Sequence, residues 1–256
     1  MQMLNKLSLV IISQNEEAAL AQCLQSCMSL VDEIVIVDSG STDGTQEIAL
    51  KYQARFIHQD WLGFGAQKNY AVTLAKHDWV LCLDADEYLT AELALEIRQE
   101  LDNPRAEAYQ LIRCNKFLGK FLRHGAGYPD CSIRLFNRRA ANWSNDLVHE
   151  KVEVVSACVV ATLKHDYLHN SGEDFMKYLH KQDRYTTTQA LKMLELKKPF
   201  KLSKLFFSPL VHFVKYYLLR RGFMDGVPGF IHIVLGSINS FQKYAKLYAL
   251  YQQRNN

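Results

Sequence analysis

Closely paired cysteines, glycine-rich phosphate loops, a strong net charge and a long apolar run are all missing from this chain. The six cysteines, at 23, 27, 82, 114, 131 and 158, are scattered and lack CxxC pairing, which excludes a zinc ribbon or a redox dithiol motif. Cys82 lies inside an apolar run and reads as a core residue. No GxxxxGK[ST] occurs and no GxGxxG follows the first strand-like run, so neither a P-loop nor a dinucleotide fingerprint is present. The net charge of +3 is too small for a nucleic-acid binder driven by overall charge, although it allows a local basic patch. Met1 to Lys6 lead straight into a strand-like run without a signal-peptide pattern, which predicts a cytosolic, reducing setting.

What is present is enough for one large domain, or one domain with an extension: 256 residues, 48% of them hydrophobic. Leu7 to Ile12 reads as a buried strand, followed by a helix from Ala18 to about Leu30. Glu33 to Val37 is a second strand, Gln46 to Tyr52 a helix, and Arg55 to His58 a short strand. Gly63 to Asn69 opens a further helix, and the apolar run from Trp79 to Leu83 is the next strand. This alternation predicts an α/β fold with a mostly parallel sheet and helices on both faces.

The Trp79 run ends abruptly in Asp84, Asp86 and Glu87. In open α/β sheets the carboxyl ends of the strands border the ligand crevice. Two carboxylates at such a point can hold a hard divalent cation, which in turn can clamp a diphosphate. Asp38 ends the second strand, and Asn15 and Glu16 follow the first, so distant polar groups converge on one edge. Asp38 can accept hydrogen bonds from a ribose or base, or simply organise the turn Ser39–Thr45. Lys68, near a helix start, can face a phosphate or be a solvated surface lysine.

Farther on, Asp130 precedes a short strand that carries Arg134 and ends in basic residues. His149 and Glu150 follow a loop rich in Trp, Asn and Asp. Such a pair can supply a metal ligand and a general base, or merely start an exposed strand. A sugar-1-phosphate nucleotidyltransferase would want a glycine-rich basic loop after the first strand, where this chain has acidic Ser13–Glu16. An Asp-x-Asp phosphatase would place its acids on the first strand rather than about the fourth.

Together, Leu9–Glu17, Val37–Thr45 and Leu83–Glu87 resemble the family 2 glycosyltransferases with the GT-A fold. Gln67–Asn69, Arg134–Phe136 and Val148–Glu150 look like the branch that includes lipopolysaccharide core β-glucosyltransferases. The resemblance covers roughly residues 7 to 150 and implies a Rossmann-like GT-A domain with an inverting enzyme, a nucleotide-sugar donor that is usually UDP-linked, and Mg²⁺ or Mn²⁺. It implies nucleotide-sugar contacts at Asn15, Glu16, Asp38, Lys68, Asp84 and Arg134, and metal contacts at Asp86, shared with Asp84 and His149. Lys68 stands where this branch often has arginine, and lysine cannot make the bidentate fork. Glu150 falls near the family's catalytic base, with Asp130 as the second choice. The expected reaction moves a hexose, glucose from UDP-glucose, to a lipid-linked core oligosaccharide. The alternatives are another surface glycan, or a non-catalytic nucleotide-sugar-binding membrane protein.

After Glu150 the character changes, which divides the chain into a catalytic domain, 1–165, and a helical extension, 166–256. Val152 to Leu163 is strand-like, and helical spacing begins near Glu173. Lys197 to Arg221 carries seven basic residues and no acid among many large apolar ones. Two further apolar runs follow, Gly226 to Ile238 and Phe241 to Tyr251. The uncharged stretch Leu205–Val214 is only ten residues, against the roughly twenty a membrane span needs. Basic aromatic helices of this kind predict an interfacial position on an anionic inner leaflet, peripheral to the cytoplasmic face.

Overall fold

The computed structural model describes residues 5–144, 150–172 and 174–255. Contacts divide the chain into two units: one runs up to Cys114 and resumes at Asp130–Ser171, the other comprises Asn115–Pro129 and Gly172–Asn256. The sequence division at 165 falls inside a strand, Val160–His169.

The first unit opens with the expected alternation: β1 (Leu7–Ser13), α1 (Leu20–Cys27), β2 (Glu33–Asp38), α2 (Thr45–Lys51), β3 (Arg55–His58), α3 (Phe64–Leu74) and β4 (Trp79–Asp84). These strands pair in parallel in the order β3-β2-β1-β4. The three inner strands, β1, β2 and β4, form because their side chains are apolar on both faces, whereas the edge strand β3 is only half-buried. Leu7, Leu9 and Ile11 of β1 and Trp79, Leu81 and Leu83 of β4 face one core with α1 and α4 (Ala91–Asp102). Val10, Val80 and Cys82 face the opposite core with Ala71 and Val72 of α3. Cys82 is thus the packing residue its sequence position suggests.

Beyond β4 the strands turn antiparallel, continuing through β8 (Asp130–Asn137), β6 (Ala108–Phe117) and β11 (Val160–His169) to β5 (Glu87–Leu89). Only Ala85 and Asp86 separate β4 from β5, yet three strands lie between them in the sheet. This half must therefore curl back on itself. The curl brings polar side chains of β5, β6, β8 and β11 around the end of β4. The apolar stretch Val152–Leu163 is not one strand: β10 (Val152–Val154) pairs with β9 (Ala141–Trp143), and a turn separates it from β11. Ser156, at that turn, is polar, and Ala157 holds φ of 86°.

The second unit contains the two-residue β7 (Lys120–Phe121), α5 (Phe175–Glu195), α6 (Leu202–Phe213) and α7 (Gly226–Asn255). Buried Asp225 accepts hydrogen bonds from the backbone N–H groups of Arg123 and His124 (3.0 and 2.8 Å), and pairs with the His124 ring at 3.0 Å. The two C-terminal apolar runs join into the single helix α7. Gly236 does not break it. A Cβ there would lie 2.5 Å from the His212 imidazole, so the glycine lets α6 approach closely. Among the described residues no helix is long and apolar enough to cross a membrane.

Candidate active site

The parallel register sets the frame: Ser13 lies opposite Asp38, and Ile12 opposite Asp84, so β1 ends between two strands that each finish in aspartate. Asp38 is 2% exposed and already fully engaged. Oδ1 accepts from the N–H groups of Gly40 (2.9 Å) and Ser41 (2.7 Å), while Oδ2 accepts from the hydroxyls of Ser13 and Ser41. A carboxylate has about four acceptor sites, and all are used. Burial opposes its charge, but these hydrogen bonds win and lower its pKa. Asp38 therefore shapes the 39–41 loop. Asn15 ties the neighbouring loop to it: its N–H donates to Ser41 Oγ (2.8 Å), and its side-chain oxygen accepts from Thr42 N–H (2.8 Å).

The motif Gln67-Lys68-Asn69 is three different tools at successive angles of α3. Gln67, fully buried, donates to Gln59 O (3.1 Å) and Ser39 Oγ (3.2 Å) and accepts from Leu62 N–H (3.2 Å), which fixes the loop before the helix. Asn69 makes two bonds to the backbone of Trp143, at 2.8 and 2.9 Å, imitating a partner strand for β9. Between them Lys68 is buried, with Nζ 2.9 Å from Asp84 Oδ1, 3.1 Å from Glu150 Oε1 and 4.4 Å from the centre of the Trp143 ring. It is an internal cation rather than a solvated one.

Asp84 is held from the other side by Arg134, whose Nη2 lies 3.0 Å from Asp84 Oδ2 and 2.7 Å from Glu87 Oε1. Glu87 has no exposed side-chain surface and also accepts from the Asp84 N–H at 3.0 Å. Arg113 on β6 approaches Glu87 at 3.6 Å and binds Asp130 at 2.7 Å. The result is a continuous ladder of alternating charge: Asp130, Arg113, Glu87, Arg134, Asp84, Lys68, Glu150. Burial opposes the charge on Asp84, but Arg134 and Lys68 hold its carboxyl well below the usual range. Burial pushes Glu87 up against the opposing pull of Arg134. Another nitrogen of Arg134, Nη1, is buried with no hydrogen-bond partner among the described residues.

Asp86 stands outside this ladder. Its Oδ2 lies 3.1 Å from His169 Nε2, and both side chains are about a quarter exposed. Glu16 faces the same acids. Burial, then Asp86, Asp84 and Asp43, push its pKa up to about 7. Negative charge is therefore in excess here, as a cation site requires. Among the described residues no three His, Cys, Asp or Glu side chains form a ready-made metal cage. Mg²⁺ and Mn²⁺ sites that serve phosphates typically use only one or two protein ligands, with the substrate supplying the rest. Asp86 and His169 fit that description, whereas both oxygens of Asp84 are committed to cations.

Glu150 is held in place from two directions. Its neighbour Lys151 exchanges hydrogen bonds with Ser144, at 2.7 and 3.2 Å. Gly65 of α3 packs so closely that a Cβ would lie 2.1 Å from Ser144 O. The Glu150 side chain is 19% exposed. Asp130 is more exposed, at 37%, but is bound to Arg113. The structure thus joins Asp84, Lys68, Arg134, Glu150 and Asp130 in one network and sets Glu16 and Asp86 beside it. Asp38 and Asn15 organise loops. His149 lies outside the described residues. Sequence reasoning missed Arg113, Trp143 and Tyr167 as members, and His169 as the partner of Asp86. Tyr167 hydroxyl meets Ser132 at 3.0 Å and accepts from Arg134 Nε at 3.4 Å.

A family profile described as "Glycosyl transferase family 2" matches residues 8–157. An uncharacterized glycosyltransferase of Rickettsia typhi is 32% identical over 255 residues, covering 95% of this chain and 87% of its own length. The lipopolysaccharide core biosynthesis glycosyltransferase LpsC of Rhizobium meliloti is 30% identical over 254 residues, covering 94% and 92%. Among solved structures, Staphylococcus aureus TarS 1–349 in complex with UDP aligns with a TM-score of 0.49 at 14% identity, covering 97% of this chain and 91% of that one.

Proposed function

The chain belongs to glycosyltransferase family 2, and from that premise we propose that it moves a hexose, glucose from UDP-glucose, onto a lipid-linked core oligosaccharide of lipopolysaccharide. The similarity to LpsC, along nearly the whole of both chains, supports that class of acceptor. The observation that carries the catalytic reading is the bridge from Asp84 through Lys68 to Glu150. It ties a partly exposed carboxylate to the strand ends where open α/β sheets bind ligands. Nucleotide-sugar binding and chemistry are assigned to the first unit, which includes all of β11 up to His169. The helices from Phe175 onward are assigned to contact with the anionic cytoplasmic face of the inner membrane.

Glu150 takes the proton from the acceptor hydroxyl, and that oxygen attacks the anomeric carbon from the face opposite the diphosphate. A single displacement inverts the centre, so an α-linked donor gives a β-linked product. Lys68 holds the Glu150 carboxylate in place and keeps Asp84 charged. Arg134 fixes Asp84 and Glu87 and so sets the charge at the end of β4 beside the donor. Asp38 and Asn15 hold the 39–42 backbone against the nucleotide. Asp86 and His169 would hold Mg²⁺ or Mn²⁺. When bound, the ion offsets charge on the leaving diphosphate.

A panel of UDP- and GDP-sugars tests the reading, scored by donor hydrolysis and by transfer to a deacylated core oligosaccharide, with and without chelator. The expected result is metal-dependent turnover of UDP-glucose that Asp86→Ala abolishes. Turnover that survives both chelation and Asp86→Ala removes the metal assignment. Preference for another UDP-sugar or a GDP-sugar removes the donor.

A further inference from the structure

The segment that carries Glu150 also carries Trp143, and the two residues grip the same lysine. Trp143 ends β9, and the next residue, Ser144, exchanges hydrogen bonds with Lys151 at 2.7 and 3.2 Å. Lys68 reaches in from α3, with Nζ 3.1 Å from Glu150 Oε1 and 4.4 Å from the centre of the Trp143 ring. The guanidinium carbon of Arg134 lies 5.7 Å from the same ring. Both cations also bind Asp84, Lys68 through Oδ1 and Arg134 through Oδ2. Two positive charges thus share two partners: a carboxylate and an aromatic face.

Packing alone does not account for how the indole is turned. Trp143 is 3% exposed and belongs to the core cluster of Val10, Phe136 and Val152. A buried indole N–H usually finds an acceptor. Here Nε1 is buried with no oxygen or nitrogen partner among the described residues, and the thiol of Cys82, a weak acceptor, lies beside it. The ring is therefore placed by its face rather than by its N–H. That face carries negative potential and attracts a cation most strongly where water is excluded, as it is around buried Lys68. The backbone of Trp143 is fixed by both of its bonds to the Asn69 side chain, at 2.8 and 2.9 Å. Asn69 follows Lys68 directly, so α3 sets the lysine and its aromatic wall together.

We propose that Trp143 is a positioning residue for the transfer reaction: its ring face holds the Lys68 ammonium against Glu150, and so fixes the carboxylate that takes the acceptor proton. The inference deepens the reading of Glu150 above and rests on it. An aliphatic side chain at 143 fills the core but leaves the ammonium without its wall, free to swing away from Glu150 toward Asp84.

The test compares full-length Trp143→Phe and Trp143→Leu in single-turnover transfer from UDP-glucose, with donor binding by calorimetry and circular dichroism melts to establish folding. Trp143→Met, bulkier than leucine, replaces Trp143→Leu if the melt shows that variant unfolded. Phenylalanine keeps an aromatic face and should hold the rate within about threefold, whereas leucine should lower it about tenfold or more. Donor Kd should stay within about threefold in both, which places the loss in the chemical step. The pair is repeated on Lys68→Arg and Lys68→Met. A guanidinium still stacks on the ring, so leucine should cost Lys68→Arg about as much as it costs the wild type; without a cation it should cost Lys68→Met less than about threefold. Urea unfolding runs the same cycle without turnover, and the losses from Trp143→Leu and Lys68→Met should overlap by about fivefold or more in the unfolding constant. Equal rate losses for phenylalanine and leucine, a leucine loss unchanged on Lys68→Met, or additive unfolding losses make Trp143 a packing residue and overturn the proposal, leaving the reading of Glu150 standing. A wild type without transfer overturns both.

Discussion

Lys68→Met removes a cation that Asp84 and Glu150 share. The ammonium is 7% exposed and lies 2.9 and 3.1 Å from the two carboxylates. Removing one partner of a buried ion pair costs about 3–5 kcal/mol, because the charge left behind has lost water and gained nothing. Asp84 keeps Arg134 and a 34% exposed side chain, so the cost belongs at the lower end, about 3 kcal/mol. For a protein of this size that lowers Tm by roughly 6–12 °C. Lys68→Arg retains the charge and should lose about half as much or less, while leaving transfer measurable. The double variant Lys68→Met with Asp84→Asn should be more stable than the sum of the two single losses, since it leaves less uncompensated charge. Urea unfolding of the four proteins decides it. Additive losses, or a Lys68→Met variant as stable as the wild type, would refute the ladder as a stabilising unit.

The pH dependence carries a definite sign at Glu16. Its pKa is raised from 4.5 to about 7, so its contribution favours folding at low pH and is lost as pH rises through 7. Glu16→Gln should therefore gain about 1–2 kcal/mol over the wild type at pH 8, after allowance for solvent screening, and much less at pH 5. Urea midpoints measured in chelator check it, and an equal difference at both pH values contradicts it. Gly65→Ala forces a methyl against Ser144 O and should cost about 1–3 kcal/mol. Because the displaced segment leads to Glu150, transfer should fall further than stability alone explains. A variant with wild-type kinetics would show that α3 does not position the base.

The parallel half of the sheet was legible because three of its four strands are short apolar runs closed by a turn, and the fourth, at the edge, is bracketed by helices. Leu7–Ser13, Glu33–Asp38, Arg55–His58 and Trp79–Asp84 all fall within a residue or so of their expected bounds. Asp38, Asp84 and Glu16 were legible for the same reason, since parallel strands end on one edge. The antiparallel half was not. Ala108–Phe117 mixes Arg113, Asn115 and Lys116 with apolar residues, because one of its faces lines a polar interior. Its partners are set by the curl of the sheet, which leaves no local mark. His169 meets Asp86 only because β11 pairs with β5, setting His169 opposite Glu87. Lys68 was visible as a cation but not as a buried one, since its burial depends on Trp143, Asp84 and Glu150, which are distant in sequence. The two C-terminal apolar runs read as separate because Gly236 looks like a breaker. It is tolerated because His212 packs against it.

The central claim is that Glu150 is the base of a glycosyl transfer built on this ladder, and single-turnover transfer from UDP-glucose by Glu150→Gln tests it most directly. The glutamine keeps size and loses the proton acceptor. Donor binding, read by calorimetry, should stay within about twofold, while transfer falls about 10²–10⁴-fold. Asp130→Asn, measured alongside, should lose far less. Transfer that survives in Glu150→Gln and disappears in Asp130→Asn would contradict the account and move the base to the other end of the ladder.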